Sequence, residues 1–295
     1  MIVEWIRHSL TPAPRPLRQM GYLRELIATD ARRRRNRRAW QPHLRETHRV
    51  ILDCAARLDR WDTVVVVGAG LASDIPLEPL ALLFRRVVLV DLMFMPSVRM
   101  AGLRMTSVEL MPGDITGVVH AVRKLPIGSP LPPTRAAIPE RDRADLVVSC
   151  NVLSQLPLLP CRWLEARHGI APDMLEPFRR RLIADHLDAL MGAPCPVCLV
   201  TDTERQEVTA DRPTAAADLL HGIEPEVEGA AWWWRIAPWP EESWLHDVRH
   251  RVVGGWLRGY AIRDELVPDV SPDAHPADDH GHGGAVGAPR LSSRG

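Results

Sequence analysis

The chain lacks an excess of charge of either sign, since its 295 residues carry 37 basic and 37 acidic side chains. Net charge therefore provides no general attraction to nucleic acid or to an acidic membrane surface. Lysine is almost missing, because Lys124 is its single instance and arginine supplies the remaining positive charge. A chain of this length is able to bury one large core or two modest ones.

Long apolar runs are missing too, because no stretch approaches the ~20 apolar residues needed to span a bilayer. The first eight residues place charge inside their apolar patch, which is untypical of a secretory signal. Five cysteines are scattered along the chain, and their odd number and wide spacing do not favour a disulfide framework. We therefore expect a soluble, cytoplasmic protein with no membrane partner.

Strand-like and helix-like stretches alternate along most of the chain. Apolar, β-branched runs predict strands at residues 63–67, 87–90, 108–111, 145–150 and 196–202. Helical spacing or composition predicts helices at 71–84, 117–125, 176–190 and 214–220. Two further strands at 230–236 and 247–256 are joined too closely for a crossover, so they should pair antiparallel. The alternation predicts an α/β protein with a doubly wound, mostly parallel sheet.

Three parts follow from this pattern. Residues 1–61 should form a helical N-terminal extension, residues 62–264 the α/β domain, and residues 265–295, rich in proline, aspartate, histidine and glycine, a disordered tail. The arginine-rich run at 32–38 is either a solvated helix face or turn, or a contact for phosphate or RNA. The solvated face is favoured, because no interleaved aromatics or RNA-binding module accompany the run.

A glycine turn follows the first strand directly. The strand leads into Gly68 and Gly70, where missing side chains let the backbone approach a ligand. Any tight strand-to-helix turn also needs such glycines, so a purely structural role stays open. Asp91 ends the second strand ~20 residues later, where a carboxylate is placed to bind the hydroxyls of a ribose. Capping a helix is the alternative role of Asp91.

Four motifs together resemble those of class I S-adenosylmethionine-dependent methyltransferases. They are the glycine turn at 64–70, the strand and acid at 87–91, the glycine–aspartate pair at 113–114, and the fourth strand with its continuation at 144–157. The resemblance covers residues 44–256. It implies a Rossmann-like sheet of seven strands with an antiparallel last strand, which agrees with the closing strand pair. It also implies methyl transfer from S-adenosylmethionine.

The resemblance implies a role for each matching residue. The glycine turn would pass under the methionine part of the cofactor, and the acid of the second strand would bind the ribose. Asp114 and Ile115 would meet the adenine, and Asn151 would line the methionine end and the substrate. The implied cofactor-binding residues are Gly68, Ala69, Gly70, Asp91, Asp114, Ile115 and Asn151. No metal site is expected.

The methyl acceptor is not identified, and a small molecule is favoured over a macromolecule. The Asn-Pro-Pro-Tyr type signature of amino-group DNA methyltransferases is absent from the fourth strand. Candidate polar groups near the strand ends are Asn151, Gln155, His168 and Asp202. No catalytic residue is assigned beyond these candidates.

Two positions depart from the family pattern and keep other functions open. Val66 stands where the family usually has an acid, and Ala72 replaces its third glycine, while Asp74 lies just beyond the turn and is a possible substitute. A catalytically degenerate relative that acts as a binding or scaffold module is the first alternative. An NAD-dependent Rossmann enzyme is the second, disfavoured because Ser73 stands where the dinucleotide fingerprint has its last glycine.

Two remaining clusters have a plain and a functional interpretation. Cys195 and Cys198 have the spacing of a redox or zinc pair, but a zinc site needs about two further ligands, so core packing is favoured. Five tryptophans lie near the final strand pair, where alternation along a strand sends neighbouring side chains to opposite faces. These tryptophans either pack in the ordinary way or form an exposed patch that supports a homodimer or another partner, and both interpretations stay open. They are Trp232, Trp233, Trp234, Trp239 and Trp244.

Overall fold

A computed structural model describes residues 11–210 and 212–263. The predicted tail at 265–295 lies outside these described residues, as do the first ten residues of the N-terminal extension. The domain boundaries at 61/62 and 264/265 stay predictions.

Among the described residues, three helices precede the sheet, in agreement with a helical N-terminal extension. They are α1 (Arg15–Gln19), α2 (Tyr22–Arg35) and α3 (Arg37–Ala55). Gly21, whose φ of 90° suits glycine, separates α1 from α2. The arginine run at 32–38 spans the end of α2 and the start of α3. There Arg32 lies 3.1 Å from Glu242 and Arg35 lies 2.5 Å from Glu241, in the loop that joins the last two strands.

Eight strands form one sheet: β1 (Thr63–Val67), β2 (Arg86–Asp91), β3 (Val108–Pro112), β4 (Leu146–Cys150), β5 (Val197–Thr209), β6 (Arg212–Asp218), β7 (Ile223–Ala237) and β8 (Asp247–Ile262). The main path runs β3-β2-β1-β4-β5-β8-β7, and β6 pairs with β5 beside this path. Strands β1 to β5 are parallel, and β8 is antiparallel to both its neighbours. The seven strands of the main path therefore include one antiparallel last strand, as predicted.

Helices cover both faces of the parallel strands, which explains why every residue of β1 and β4 is buried. Val64 and Val66 of β1 pack in one apolar cluster, and Val65 and Val67 pack in the other. The covering helices after β1 are α4 (Leu77–Leu83), α5 (Pro96–Arg104), α6 (Val119–Lys124), α7 (Leu158–His168) and α8 (Glu176–Met191). The predicted α/β fold class, a doubly wound, mostly parallel sheet with an antiparallel last strand, is confirmed.

The helix predicted at 214–220 is wrong, because this stretch forms β6. Strand β5 continues to Thr209, well beyond its predicted end, and β6 pairs antiparallel with this extension, with Glu204 opposite Asp218 and Arg205 opposite Ala217. Every residue of β6 is exposed. The alanines of this stretch therefore bury no side chain, and the backbone pairing with β5 outweighs their helix propensity.

The last two strands pair antiparallel as predicted, and each is longer than its sequence pattern indicates. Adjacent tryptophans of β7 point to opposite faces, as their alternation predicts. Trp232 and Trp234 both contact His43 of α3, whereas Trp233 packs against the guanidinium of Arg249, 4.3 Å from its ring centre. The inner face is therefore core, and the possible homodimer stays a prediction.

The strand order fixes where a ligand site is expected. The chain moves outward from β1 through β2 to β3 and then returns to place β4 on the other side of β1. The loops that follow β1 and β4 consequently leave the sheet in opposite directions and open a crevice between them. Gly68 begins the first of these loops and Asn151 the second. Within the described residues, no helix has the length and apolarity needed to cross a membrane.

Candidate functional site

A cavity of about 220 Å³ lies at this crevice, above the carboxyl ends of the strands and beneath α2 and α3. Of the predicted cofactor-binding residues, Ala69 alone does not line it, because its side chain is fully buried in the core beside the turn. The predicted residues that do line the cavity are Gly68, Gly70, Asp91, Asp114, Ile115 and Asn151. The structure therefore brings together groups that lie more than 80 positions apart in the chain.

The glycine turn leaves no room for side chains. Gly68 has a φ of +87°, and a Cβ placed there would lie 2.4 Å from the carbonyl oxygen of Cys150. A Cβ on Gly70 would lie 3.1 Å from a carboxylate oxygen of Asp91 and 3.1 Å from the carbonyl oxygen of Met93. Gly68 is thus required by the close approach of β1 and β4, and Gly70 by the position of Asp91.

Replacing Gly68 with alanine is expected to lower the free energy of unfolding by roughly 2–3 kcal/mol, because the change adds left-handed backbone strain and a clash with β4. Urea denaturation followed by circular dichroism measures this loss. Gly128→Ala is the matched control, since Gly128 has a φ of +81° and no atom within 4 Å of the added Cβ. A loss no greater than that of the control would show that the backbone clash is absent.

The two departures from the family pattern have different structural consequences. Ala72 adopts a φ of 49°, so the backbone keeps the left-handed conformation that a glycine at this position would favour. Val66 is fully buried in the core, so no acid is available at that point. Asp74 lines the cavity a few residues later and places a carboxylate there instead.

Asp91 holds the turn and also faces the cavity. One of its oxygens accepts a hydrogen bond of 2.8 Å from the backbone N–H of Gly70, and the other accepts one of 3.4 Å from Met93. Burial raises the pKa of Asp91 to about 6, because the loss of hydration outweighs the lowering effect of the hydrogen bond from the Gly70 N–H. The negative charge of Asp74 adds to this rise. Each oxygen retains a lone pair for a ligand.

Asp114 and Ile115 form the next part of the wall. Asp114 accepts hydrogen bonds from the backbone N–H groups of Thr116 at 3.0 Å and Val119 at 2.9 Å, and from the Thr116 hydroxyl at 2.6 Å. These bonds fix the loop between β3 and α6. The Asp114 carboxylate is therefore rigidly held, and the side chain of Ile115, only 7% exposed, adds an apolar surface beside it.

Asn151 joins the end of β4 to Asp74. Its φ is 49°, its Nδ2 donates a hydrogen bond of 2.7 Å to an Asp74 oxygen, and its Oδ1 is buried without a hydrogen-bond partner among the described residues. Burial raises the pKa of Asp74, and the Asn151 bond opposes this rise. A buried amide oxygen without a partner is costly in a folded protein, so this atom is a candidate for contact with a bound molecule.

Aromatic side chains from α2, α3 and β7 close the cavity from above. Burial, with a further contribution from the charge of Asp114, places the pKa of Tyr22 well above its ordinary value. The His43 imidazole stacks on Trp234 with ring centres 4.0 Å apart, and Trp40 meets the same indole edge-on at 4.7 Å. This wall is not predictable from the sequence pattern, because helical spacing indicates which residues are buried but not that they cover a cavity.

The other candidate polar groups divide into two sets. Gln155 lines the cavity and donates a hydrogen bond of 2.6 Å to the carbonyl oxygen of Asn151. His168 and Asp202 do not line it; Asp202 lies 2.7 Å from His250 and accepts a hydrogen bond from the Ser154 hydroxyl. Cys198 is fully buried, as the favoured core-packing role predicts.

The charges around the cavity are strongly unequal. Asp74, Asp91 and Asp114 contribute three carboxyl groups. Among the described lining residues, Arg162 is the one cationic side chain, and it lies 3.7 Å from Glu25 in an ion pair. The cavity therefore favours a ligand that carries positive charge or is rich in hydroxyl and amino donors.

Comparisons with known proteins give solved structures but no sequence relatives. No protein-family model matches the chain, and no curated protein matches it. One similar structure is the Burkholderia thailandensis 1,6-didemethyltoxoflavin-N1-methyltransferase, with 16% identity, coverage of 82% of this chain and 91% of that chain, and a TM-score of 0.36. Another is the DhpI-SAM-HEP complex, with 13% identity, coverage of 84% and 100%, and a TM-score of 0.37. The glycopeptide N-methyltransferase MtfA has 14% identity, coverage of 70% and 76%, and a TM-score of 0.30.

Proposed function

We propose that the protein is an S-adenosylmethionine-dependent methyltransferase whose acceptor is a small molecule. The observation that carries the proposal is the convergence of a side-chain-free glycine turn and three carboxyl groups on one cavity at the switch point of the sheet. S-adenosylmethionine carries a net positive charge, because its sulfonium and ammonium outweigh its single carboxylate, and it offers two ribose hydroxyls and an adenine amino group as donors. These groups are complementary to such a cavity.

Individual residues fit the parts of this cofactor. Asp91 has lone pairs for the two ribose hydroxyls, and the rigid Asp114 carboxylate suits the adenine amino group beside Ile115. The turn at Gly68 and Gly70 lines the cavity and would pass beside the methionine portion. Asp74 compensates for Val66 in this proposal, since it supplies the negative charge that the first strand lacks.

The protein's part in the reaction is to bind, orient and exclude water. Bound S-adenosylmethionine would supply a methyl group on a sulfonium, which already carries a good leaving group. The side chains from α2 and α3 cover the cavity and limit the access of water. The rigid glycine turn and Asn151 hold the site in one geometry, which favours an in-line approach of the acceptor.

The same charges disfavour an NAD-dependent enzyme. A dinucleotide brings an anionic diphosphate, which would meet three carboxyl groups and an arginine already paired with Glu25. The departures at Val66 and Ala72 are the reason to consider a catalytically degenerate relative. This reason is weakened because Ala72 keeps the left-handed backbone and Asp74 places a carboxyl group in the cavity.

Titration calorimetry tests the proposal with S-adenosylmethionine, S-adenosylhomocysteine and NAD. The first two compounds are expected to bind with one site each, and NAD is expected not to bind. The folded state of the sample is checked by circular dichroism before each titration. A well-folded protein that binds neither sulfur compound would favour the degenerate relative, and binding of NAD alone would favour the dehydrogenase.

Binding of S-adenosylhomocysteine is expected to weaken by roughly tenfold between pH 7.5 and pH 5. The Asp91 pKa of about 6 means that the carboxyl is ionised at the higher pH and mostly protonated at the lower pH. Protonation removes an acceptor for the ribose hydroxyls, so affinity falls as pH drops through 6. Calorimetric titrations across this range measure the change.

Asp91→Asn provides the control for this pH dependence. The asparagine keeps an oxygen for the Gly70 N–H but does not titrate. Its affinity should therefore be nearly constant over the same pH range. Burial also raises the pKa of Asp74, which lines the cavity, so a pH dependence that persists in Asp91→Asn would assign the titration to Asp74.

A further inference from the structure

The wall opposite the glycine turn contains a histidine with a fixed arrangement of protons. His43 is 1% exposed and lines the cavity from α3. Its Nδ1 lies 3.1 Å from the indole Nε1 of Trp232. An indole N–H only donates hydrogen bonds, so Nδ1 must be the acceptor. A neutral imidazole then carries its proton on Nε2.

Burial keeps this imidazole neutral. The pKa of His43 is lowered to about 3 because the ring is desolvated, although the charge of Asp202 opposes the change. One ring face is covered by the stacked Trp234. His43 is therefore a donor through Nε2–H and has no lone pair available to remove a proton from an acceptor.

Within the described residues, the polar group next to Nε2 is also a donor. Asn151 Nδ2 lies 3.3 Å from His43 Nε2 and 2.7 Å from an Asp74 oxygen. The short bond to Asp74 fixes the amide with its N–H groups on this side. Two N–H donors thus lie next to each other on the cavity wall, and neither serves as acceptor for the other.

We propose that His43 and Asn151 together bind the methyl acceptor. The Nε2–H of His43 and the amide N–H of Asn151 both donate hydrogen bonds to one oxygen atom of that molecule. This inference rests on the proposed function only in naming the bound molecule as the methyl acceptor. Paired N–H donors of this kind bind a carbonyl oxygen and reject an ammonium group. An anionic group is disfavoured by the nearby Asp74 and by the Arg162–Glu25 ion pair. The substrate class is therefore an uncharged molecule with a carbonyl oxygen and an apolar body that suits Leu26, Leu44 and Trp40.

Nitrogen-15 NMR of the histidine side chains tests the first step. The wild-type His43 is expected to show the Nε2–H tautomer from pH 5 to pH 8. Trp232→Phe removes the indole donor and should give a mixture of both tautomers. A wild-type Nδ1–H signature would overturn the proposal. So would a direct hydrogen bond from His43 Nε2–H to Asn151 Oδ1, since the donor would then be occupied.

Three ring compounds of similar size test the substrate class: benzamide, benzylamine and benzoate. With S-adenosylhomocysteine present, benzamide is expected to bind about tenfold more tightly than either charged compound. Benzylamine has no acceptor for the two N–H donors, and benzoate brings a negative charge next to Asp74. Benzamide should also shift the His43 Nε2 and Asn151 amide signals. Equal binding of all three compounds would refute the inference.

His43→Phe and His43→Gln form a matched pair for the same measurement. Phenylalanine keeps the stacking on Trp234 but has no N–H, so its affinity for benzamide should fall about tenfold. Glutamine restores a donor and should recover most of this affinity. A protein that never binds S-adenosylhomocysteine would contradict the proposed function. The benzamide preference, measured without that compound, still tests the role of His43.

Discussion

Replacing Asp91 with alanine is expected to weaken binding of S-adenosylhomocysteine by on the order of 100-fold. In the proposed complex the two ribose hydroxyls donate hydrogen bonds to the carboxylate, and the loss of each costs roughly 1.5 kcal/mol or more. The Gly70 N–H, now 2.8 Å from a carboxylate oxygen, also loses its acceptor. The glycine turn should consequently become less ordered. Titration calorimetry at pH 7.5 measures the change in affinity.

Two asparagine variants separate the causes of this loss. Asp91→Asn retains an oxygen for Gly70 and removes the charge, so an intermediate loss of affinity is expected. Asp53→Asn removes a carboxylate from the exposed surface of α3, where Asp53 pairs with Arg49, and should leave binding unchanged. Equal affinity of wild-type protein and Asp91→Ala would mean that the cofactor does not contact Asp91.

The parallel part of the fold could be predicted from the sequence because its signals are local. Each core strand is a short apolar run, and burial on both faces makes such runs nearly continuous. The closing antiparallel pair was predicted because no helix-length segment separates its strands. The helix at 214–220 was wrongly predicted because its pairing with the extended β5 is a tertiary contact with no signal in the segment itself.

The candidate site was predictable only where the chain follows the strand ends. The glycine turn, Asp91, Asp114 and Asn151 each follow a predicted strand directly, so their convergence could be expected from sheet topology. Tyr22 and His43 lie on helices before the first strand, and their spacing indicates burial alone. Their approach to the cavity depends on how α2 and α3 pack over the sheet, which local patterns do not encode. The inward position of Ala69 also required the structure.

Acidification from pH 7.5 to pH 4.5 is expected to destabilise the protein through two buried histidines. Burial lowers the pKa of His43 to about 3 and that of His186 to about 4. A lowered histidine pKa means that stability is fully present above the unfolded pKa of ~6.5 and is lost as pH falls below it. Each histidine should contribute a loss of roughly 2.5 kcal/mol at pH 4.5. Urea denaturation at each pH measures the free energy of unfolding.

Glutamine variants isolate these contributions from opposing ones. The raised pKa of Asp91 acts in the opposite direction, so differences between variants are more informative than the wild-type curve alone. His186→Gln retains a partner for Ser149, which lies 3.0 Å from His186, and should remove roughly half of the histidine-dependent loss. The effect of His43→Gln should add to it, because the two side chains lie on helices that pack on opposite faces of the sheet. His120→Gln, at an exposed position of α6, is the matched control for the histidine-to-glutamine change itself. Identical pH profiles for His186→Gln and wild-type protein would show that folding does not lower the pKa of His186.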